Sequence, residues 1–235
     1  MSDTITFTID GVEVKATKGQ TILEAANDAG IYIPHLCAHK ELSPWGSCRV
    51  CTVKVNGRAQ PACIQPAAEG IVVENETEEL LDIRKDLIDM LFVEGNHYCM
   101  FCEASGNCEL QALAYRFGIT SPRFPYMFPT CQVDASDPNI LIDRNRCVLC
   151  ARCVRSSQQI DGKTVYGFVG RSGHKQLAVN AADGLAGAGA TAADKAPDYC
   201  PVGALLRKRV GYRTPVGQRK YDHQPIGSGT EASGE

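Results

Sequence analysis

The chain has 235 residues, 44% of them hydrophobic, with 24 Lys and Arg against 27 Asp and Glu and a formal net charge of -3. That length allows one large domain or two to three small ones with real cores, and the apolar content excludes a disordered chain. The near balance of charge argues against a polyanion binder and gives no reason to expect a nucleic acid partner.

From the N-terminus, residues 4–9 alternate polar and apolar side chains, Gly11 offers a turn, and residues 12–14 resume the alternation, which predicts a hairpin. Residues 1–9 carry Asp3 and lack the basic start and apolar core of a signal peptide, so no export is expected. Residues 21–29 place Ile22, Leu23, Ala25, Ala26 and Ala29 at helical spacing, with Thr21 as N-cap and Gly30 as stop. Strands are expected at 52–55 and 71–73, giving a small α+β sheet domain that ends near residue 78. Residues 78–93 form an amphipathic helix pattern, and 108–117 a second helix ended by Gly118. The three prolines within 121–129 predict an irregular wrapping segment.

Further strands are expected at 140–142, 165–169 and 177–179, around a helix that starts near Cys150. The Ala- and Gly-rich stretch 181–196 reads as a surface excursion. Residues 207–220 carry six cations and no acidic residue, which reads either as a solvated terminus or as an arm that orders along a partner. The longest apolar runs fall far below the roughly 20 residues of a membrane span, so no membrane insertion is expected.

Twelve cysteines without an export signal point to a reducing, cytoplasmic setting, where cysteine clusters serve as metal sites more often than as disulfides. The first group, Cys37, Cys48, Cys51 and Cys63, has the spacing C-x10-C-x2-C-x11-C, which suits a [2Fe-2S] centre. A structural zinc site is the alternative, but such sites usually carry two close cysteine pairs and this group has one. The second group holds Cys99, Cys102 and Cys108, with His97 as the nearest fourth ligand and Cys131, 23 residues beyond Cys108, as the other candidate. The third group is Cys147, Cys150 and Cys153, completed by Cys200 in a remote Cys-Pro. Two-cluster ferredoxins carry a further cysteine in the local run, whereas Ser157 stands there, so this unit holds one cluster. Arg146, Arg152 and Arg155 flank the run, either to offset cluster charge or as solvated surface residues. There is no phosphate-cradling glycine loop and no nucleophile-base pairing, so no catalytic residue is expected on this chain.

Taken together, these groups resemble the N-terminal region of the large iron-sulfur subunit of respiratory NADH dehydrogenase and the matching part of iron-only hydrogenases, over residues 1 to about 210. Those relatives continue into further domains, whereas this chain stops. A free-standing version resembles the diaphorase iron-sulfur subunits of soluble NAD-reducing nickel-iron hydrogenases, a likeness supported by residues 143–147 and 200–205. The wider family places the ligating His four residues before the first Cys, while His97 stands two before Cys99.

The resemblance implies an α+β chain. Its parts would be an N-terminal β-grasp [2Fe-2S] ferredoxin-like domain (1–78), a small helical [4Fe-4S] domain with one His and three Cys (79–120), a ferredoxin-like single [4Fe-4S] domain (121–209) and an extended tail (210–235). It implies one [2Fe-2S] and two [4Fe-4S] clusters that relay single electrons between a flavin- and NAD-binding diaphorase subunit, which holds the FMN and NAD, and the hydrogenase small and large subunits. The alternatives are the electron-input subunit of an NAD-linked formate dehydrogenase, a bifurcating hydrogenase or an NADH dehydrogenase, and, from another class, a zinc-stabilised scaffold.

Overall fold

The computed structural model describes residues 4–231. The expected hairpin is present as β1 (Thr4–Ile9) and β2 (Val12–Thr17), paired antiparallel with Thr4 opposite Thr17 and Ile9 opposite Val12. Period-two alternation turns Phe7, Ile9, Val14 and Ala16 inward, where they meet Ile22, Ala25 and Ala26 of α1 (Ile22–Asp28). The helix begins in a capping box, in which the Thr21 hydroxyl accepts from Glu24 N and the Glu24 carboxylate accepts from Thr21 N. Gly30, at φ +74°, closes it in the left-handed conformation that glycine takes without penalty.

β3 (Thr52–Val55), β4 (Arg58–Pro61) and β5 (Val72–Glu74) complete a five-stranded sheet ordered β2-β1-β5-β3-β4, in which the β1–β5 pair is parallel. β4 goes beyond the expected strands. It has no apolar alternation and forms because Asn56 and Gly57, both at positive φ, fold it back onto β3.

α2 (Glu78–Val93) spans the expected helix and buries Leu80, Ile88 and Val93. Its Arg84, 1% exposed, donates to the carbonyls of Asn75 and Thr52 and to Asn75 Oδ1, and so fastens the helix to the first sheet. α3 (Glu109–Arg116) is capped by Cys108. Residues 121–129 lack regular structure, as expected, and Arg123 ties them to Asp86 and Asp89 on α2.

Beyond them, β6 (Val133–Asp134), β7 (Ile140–Asp143) and β10 (Leu205–Arg207) form a three-stranded sheet, and β8 (Tyr166–Val169) pairs with β9 (Gln176–Val179). α4 (Arg152–Gln159) and α5 (Ala196–Tyr199) complete this part. The stretch 181–196 is more than a surface excursion. Leu185 and Ala196 are fully buried against Ile140, Ile142 and Leu177, and the Asp194 carboxylate pairs with Lys163 at 2.5 Å. One Leu in a Gly- and Ala-rich run is enough to anchor it.

The C-terminal segment folds back over the chain itself. Tyr212 donates to the Phe101 carbonyl, Tyr221 N to Gly106 O, and Arg116 to Ile226 O, before α6 (Ser228–Glu231) ends the described residues. Its cations are partly neutralised within the chain, as in Arg219–Asp222. Among the described residues no helix is long and apolar enough to cross a membrane.

Candidate metal centres

Residues from all three cysteine groups enter one core, where Cys37, Cys108 and Cys150 pack with Leu36, Val50, Ile88, Leu110, Leu113 and Val202. The twelve cysteines are all unpaired thiols, as a ligand role requires.

In the first group the sulfurs are joined in a chain of hydrogen bonds, Cys48 to Cys37, Cys37 to Cys63 and Cys63 to Cys51. Bonds from the Cys48 and Cys63 thiols pull the Cys37 thiol far down, and a bond from Cys63 lowers Cys51. Those same bonds push Cys48 and Cys63 up. The backbone N–H groups of Ser47 and Cys48 also bond to the Cys37 sulfur. Arg49, immediately after Cys48, sits at φ +62°, a strained conformation for a side-chain-bearing residue and one that turns successive N–H groups inward.

The second group converges on a small cavity lined by His97, Cys99, Cys102 and Cys108, together with Phe92, Ser105, Gln111, Arg146 and Gly203. Cys131 is not among its lining residues. It lies beside Asn145, which accepts from Cys131 N and donates to Cys131 O. His97 Nε2 is buried with no hydrogen-bond partner, which leaves the Leu91 carbonyl to the Nδ1 side of the ring. Burial holds this imidazole neutral, with its pKa lowered to about 4. A neutral ring with one nitrogen bonded to a carbonyl and the other unsatisfied is the arrangement of a metal-ligating histidine. Backbone closeness makes room for it, since a Cβ on Gly95 would stand 2.6 Å from His97 Nε2.

The third group lines its own cavity, in which Cys147, Cys150, Cys153 and Cys200 face Val148, Phe168, Leu177 and Leu205. Burial raises the Cys147 thiol to about 11 and the Cys150 thiol to about 12, and it pushes Cys153 and Cys200 up as well. Backbone N–H groups nonetheless aim at these sulfurs, from Leu149 to Cys147, from Arg152 to Cys150, and from Val202, Ala204 and Leu205 to Cys200. Leu149 and Ala151, at φ +52° and +60°, supply the necessary twist. Dry, thiol-lined cages with inward N–H groups suit anionic sulfide-bridged iron, whose sulfur ligands must be deprotonated and hydrogen-bonded.

Of the three flanking arginines, Arg152 and Arg155 are buried and Arg146 is half-buried. Arg152, 2% exposed, makes a bidentate pair with Glu109 at 2.7 Å and donates to the Ala38 carbonyl, so one side chain touches all three cysteine-bearing segments. Arg146 reaches Cys102 Sγ at 3.4 Å while paired with Glu103 and Asp143. Arg155 donates to the carbonyls of Cys37 and Cys150. Sequence reasoning missed Glu103 and Glu109 as partners and Gly95 and Gly203 as spacers. Their only local signal is a position within three residues of a ligand-type residue.

Residues 2–78 match the family model of the 2Fe-2S iron-sulfur cluster binding domain. Residues 84–123 match that of the NADH-ubiquinone oxidoreductase-G iron-sulfur binding region, and residues 137–206 that of the NADH-quinone oxidoreductase subunit 3 ferredoxin-like domain. Over 224 residues the chain is 41% identical to the gamma subunit of the NAD-reducing hydrogenase HoxS of Cupriavidus necator, covering 94% of this chain and 95% of that protein. It is 33% identical to the alpha subunit of the NADPH-Fe(3+) oxidoreductase of Geobacter sulfurreducens, covering 89% of this chain and 25% of that longer protein. A chain in the crystal structure of NAD+-reducing [NiFe]-hydrogenase in the H2-reduced state superposes with a TM-score of 0.91 at 46% identity, over 94% of each chain.

Proposed function

The chain belongs to the family of HoxS-like gamma subunits of NAD-reducing hydrogenase, which are iron-sulfur electron-transfer subunits, and from that premise we propose that it relays single electrons through three clusters. The ligand sets are Cys37, Cys48, Cys51 and Cys63 for a [2Fe-2S] cluster, His97, Cys99, Cys102 and Cys108 for one [4Fe-4S] cluster, and Cys147, Cys150, Cys153 and Cys200 for another. Bound there, such clusters supply one-electron carriers, and this chain supplies their spacing, burial and hydrogen bonds. The units run 1–78, 79–120 and 121–209, followed by the segment from 210.

The observations that support the reading are the separate cavities lined by the second and third sets and the hydrogen-bonded sulfurs of the first, in a chain that matches a gamma subunit over nearly its whole length. Contacts tie the third set to both of the others. Arg155 joins it to Cys37, while Arg146 and the bond from Glu109 N to Pro201 O join it to the second set.

The partners are a flavin- and NAD-binding diaphorase subunit and the small and large subunits of a nickel-iron hydrogenase, in the cytoplasm. An affinity tag on this chain, expressed in its native cell, tests this. Recovery of a flavoprotein together with a nickel-containing pair is expected, and recovery of a formate-oxidising subunit without nickel would overturn the assignment.

A further inference from the structure

Arg155 is 3% exposed, and all four of its hydrogen bonds go to neutral carbonyls. Nη2 donates to Cys37 O at 2.6 Å and to Cys150 O at 3.4 Å, Nε to Ala151 O at 3.3 Å, and Nη1 to Ser43 O. Arg152, one turn earlier on the same helix, has Glu109 as counter-ion, and Arg146 has Glu103 and Asp143. Among the described residues no carboxylate forms an ion pair with Arg155. A buried guanidinium whose charge is left uncompensated is strongly unfavourable, so the fold has to supply an anion close by. Two of the bonded carbonyls belong to Cys37 and Cys150, one from the first cysteine set and one from the third.

We propose that Arg155 is the shared counter-cation of the first and third centres, a positioning residue that fixes their separation through the two cysteine carbonyls and raises both reduction potentials together. The proposal rests on the three-cluster reading above. Each one-electron reduction adds one negative charge to a cage. A fixed cation in a low-dielectric interior favours that reduced form at both cages, and no bond is made or broken and no proton moves. Because the charge is held between two centres, it keeps their potentials in step, which favours transfer between them in either direction. The His97 centre is served instead by Arg146, which Glu103 and Asp143 already neutralise.

The test uses the full chain with its clusters. Iron and sulfide are counted first, so that a wild-type chain without iron refutes the cluster reading itself, separately from the role of Arg155. Redox titration followed by electron paramagnetic resonance then compares wild type with Arg155→Gln and Arg155→Lys. Arg155→Gln is expected to lower the potentials of the [2Fe-2S] centre and of the Cys147/Cys150/Cys153/Cys200 centre together, leaving the His97 centre unmoved, and Arg155→Lys to lower them less. Both potentials unchanged, one moved alone, all three moved equally, or Lys acting as strongly as Gln would each overturn the proposal.

A second variant leaves Arg155 in place. Its guanidinium lies over the ring of Trp45, 5.9 Å from the centroid, and Trp45 is 44% exposed. Trp45→Glu brings a carboxylate to that cation and should lower the same two potentials, whereas Trp45→Gln should not. Equal behaviour of the two Trp45 variants would overturn the proposal even if Arg155→Gln fails to retain its clusters.

Discussion

Gly203 lies so close to Cys102 that a Cβ at position 203 would overlap the Cys102 sulfur. The two residues are distant in sequence, and their contact joins the second cysteine set to the loop that follows Cys200. Gly203 therefore serves closeness of approach, and its missing side chain makes room for a ligand.

Gly203→Ala should displace Cys102 and cost the His97 cluster, lowering iron content by about four atoms per chain while leaving the [2Fe-2S] spectrum intact. Iron analysis with visible and paramagnetic spectra checks it. Full iron content in the variant would mean that Cys102 is not a ligand.

His97→Cys exchanges a neutral ligand for a thiolate, so the cluster of the second set should become harder to reduce and its midpoint potential should fall. Cys131→Ser should change neither iron content nor potential, because the Cys131 backbone is bonded to Asn145 and the residue does not line the His97 cavity. Redox titrations that moved with Cys131 and not with His97 would reverse the ligand assignment.

Arg123 Nε pairs at 2.5 Å with Asp89, whose side chain is fully buried on α2. Arg123→Ala strands that carboxylate and should destabilise the chain, read as a lower midpoint in denaturant. An unchanged midpoint would show that the 121–129 segment contributes nothing to holding α2.

Although burial pushes the Asp194 carboxyl up, its bonds from Lys163 and Thr191 hold it below the ordinary value of 3.8. A carboxylate with a depressed folded pKa stabilises the fold above the unfolded value, and that contribution is lost as pH falls from 3.8 through the lower folded value. Asp194→Asn should therefore cost about 1–2 kcal/mol at neutral pH, with a deficit that shrinks on acidification below about 3.8. Thermal unfolding at about pH 7 and about pH 3 measures both quantities, and a deficit equal at the two values would contradict the role.

Much of this was legible in the residues alone, because local patterns determine local structure. The apolar spacing of Leu80, Ile88 and Val93 marks α2 to its ends, and Thr21 with Glu24 marks the start of α1. The cysteine spacings likewise group ligands that share a loop. Features that depend on tertiary neighbours were not legible. β4 exists because Asn56 and Gly57 turn it onto β3, Leu185 anchors a stretch that looks solvated, and Arg152 finds Glu109 across 43 positions. The meeting of all three cysteine groups in one core also has no sequence signal, because it follows from how three separately patterned units pack together.

The claim that twelve ligands hold three iron-sulfur clusters is tested most directly by metal and acid-labile sulfide analysis of the full chain, purified without oxygen. About ten irons with matching sulfide per chain is the predicted result. Zinc bound in the absence of iron would contradict the relay.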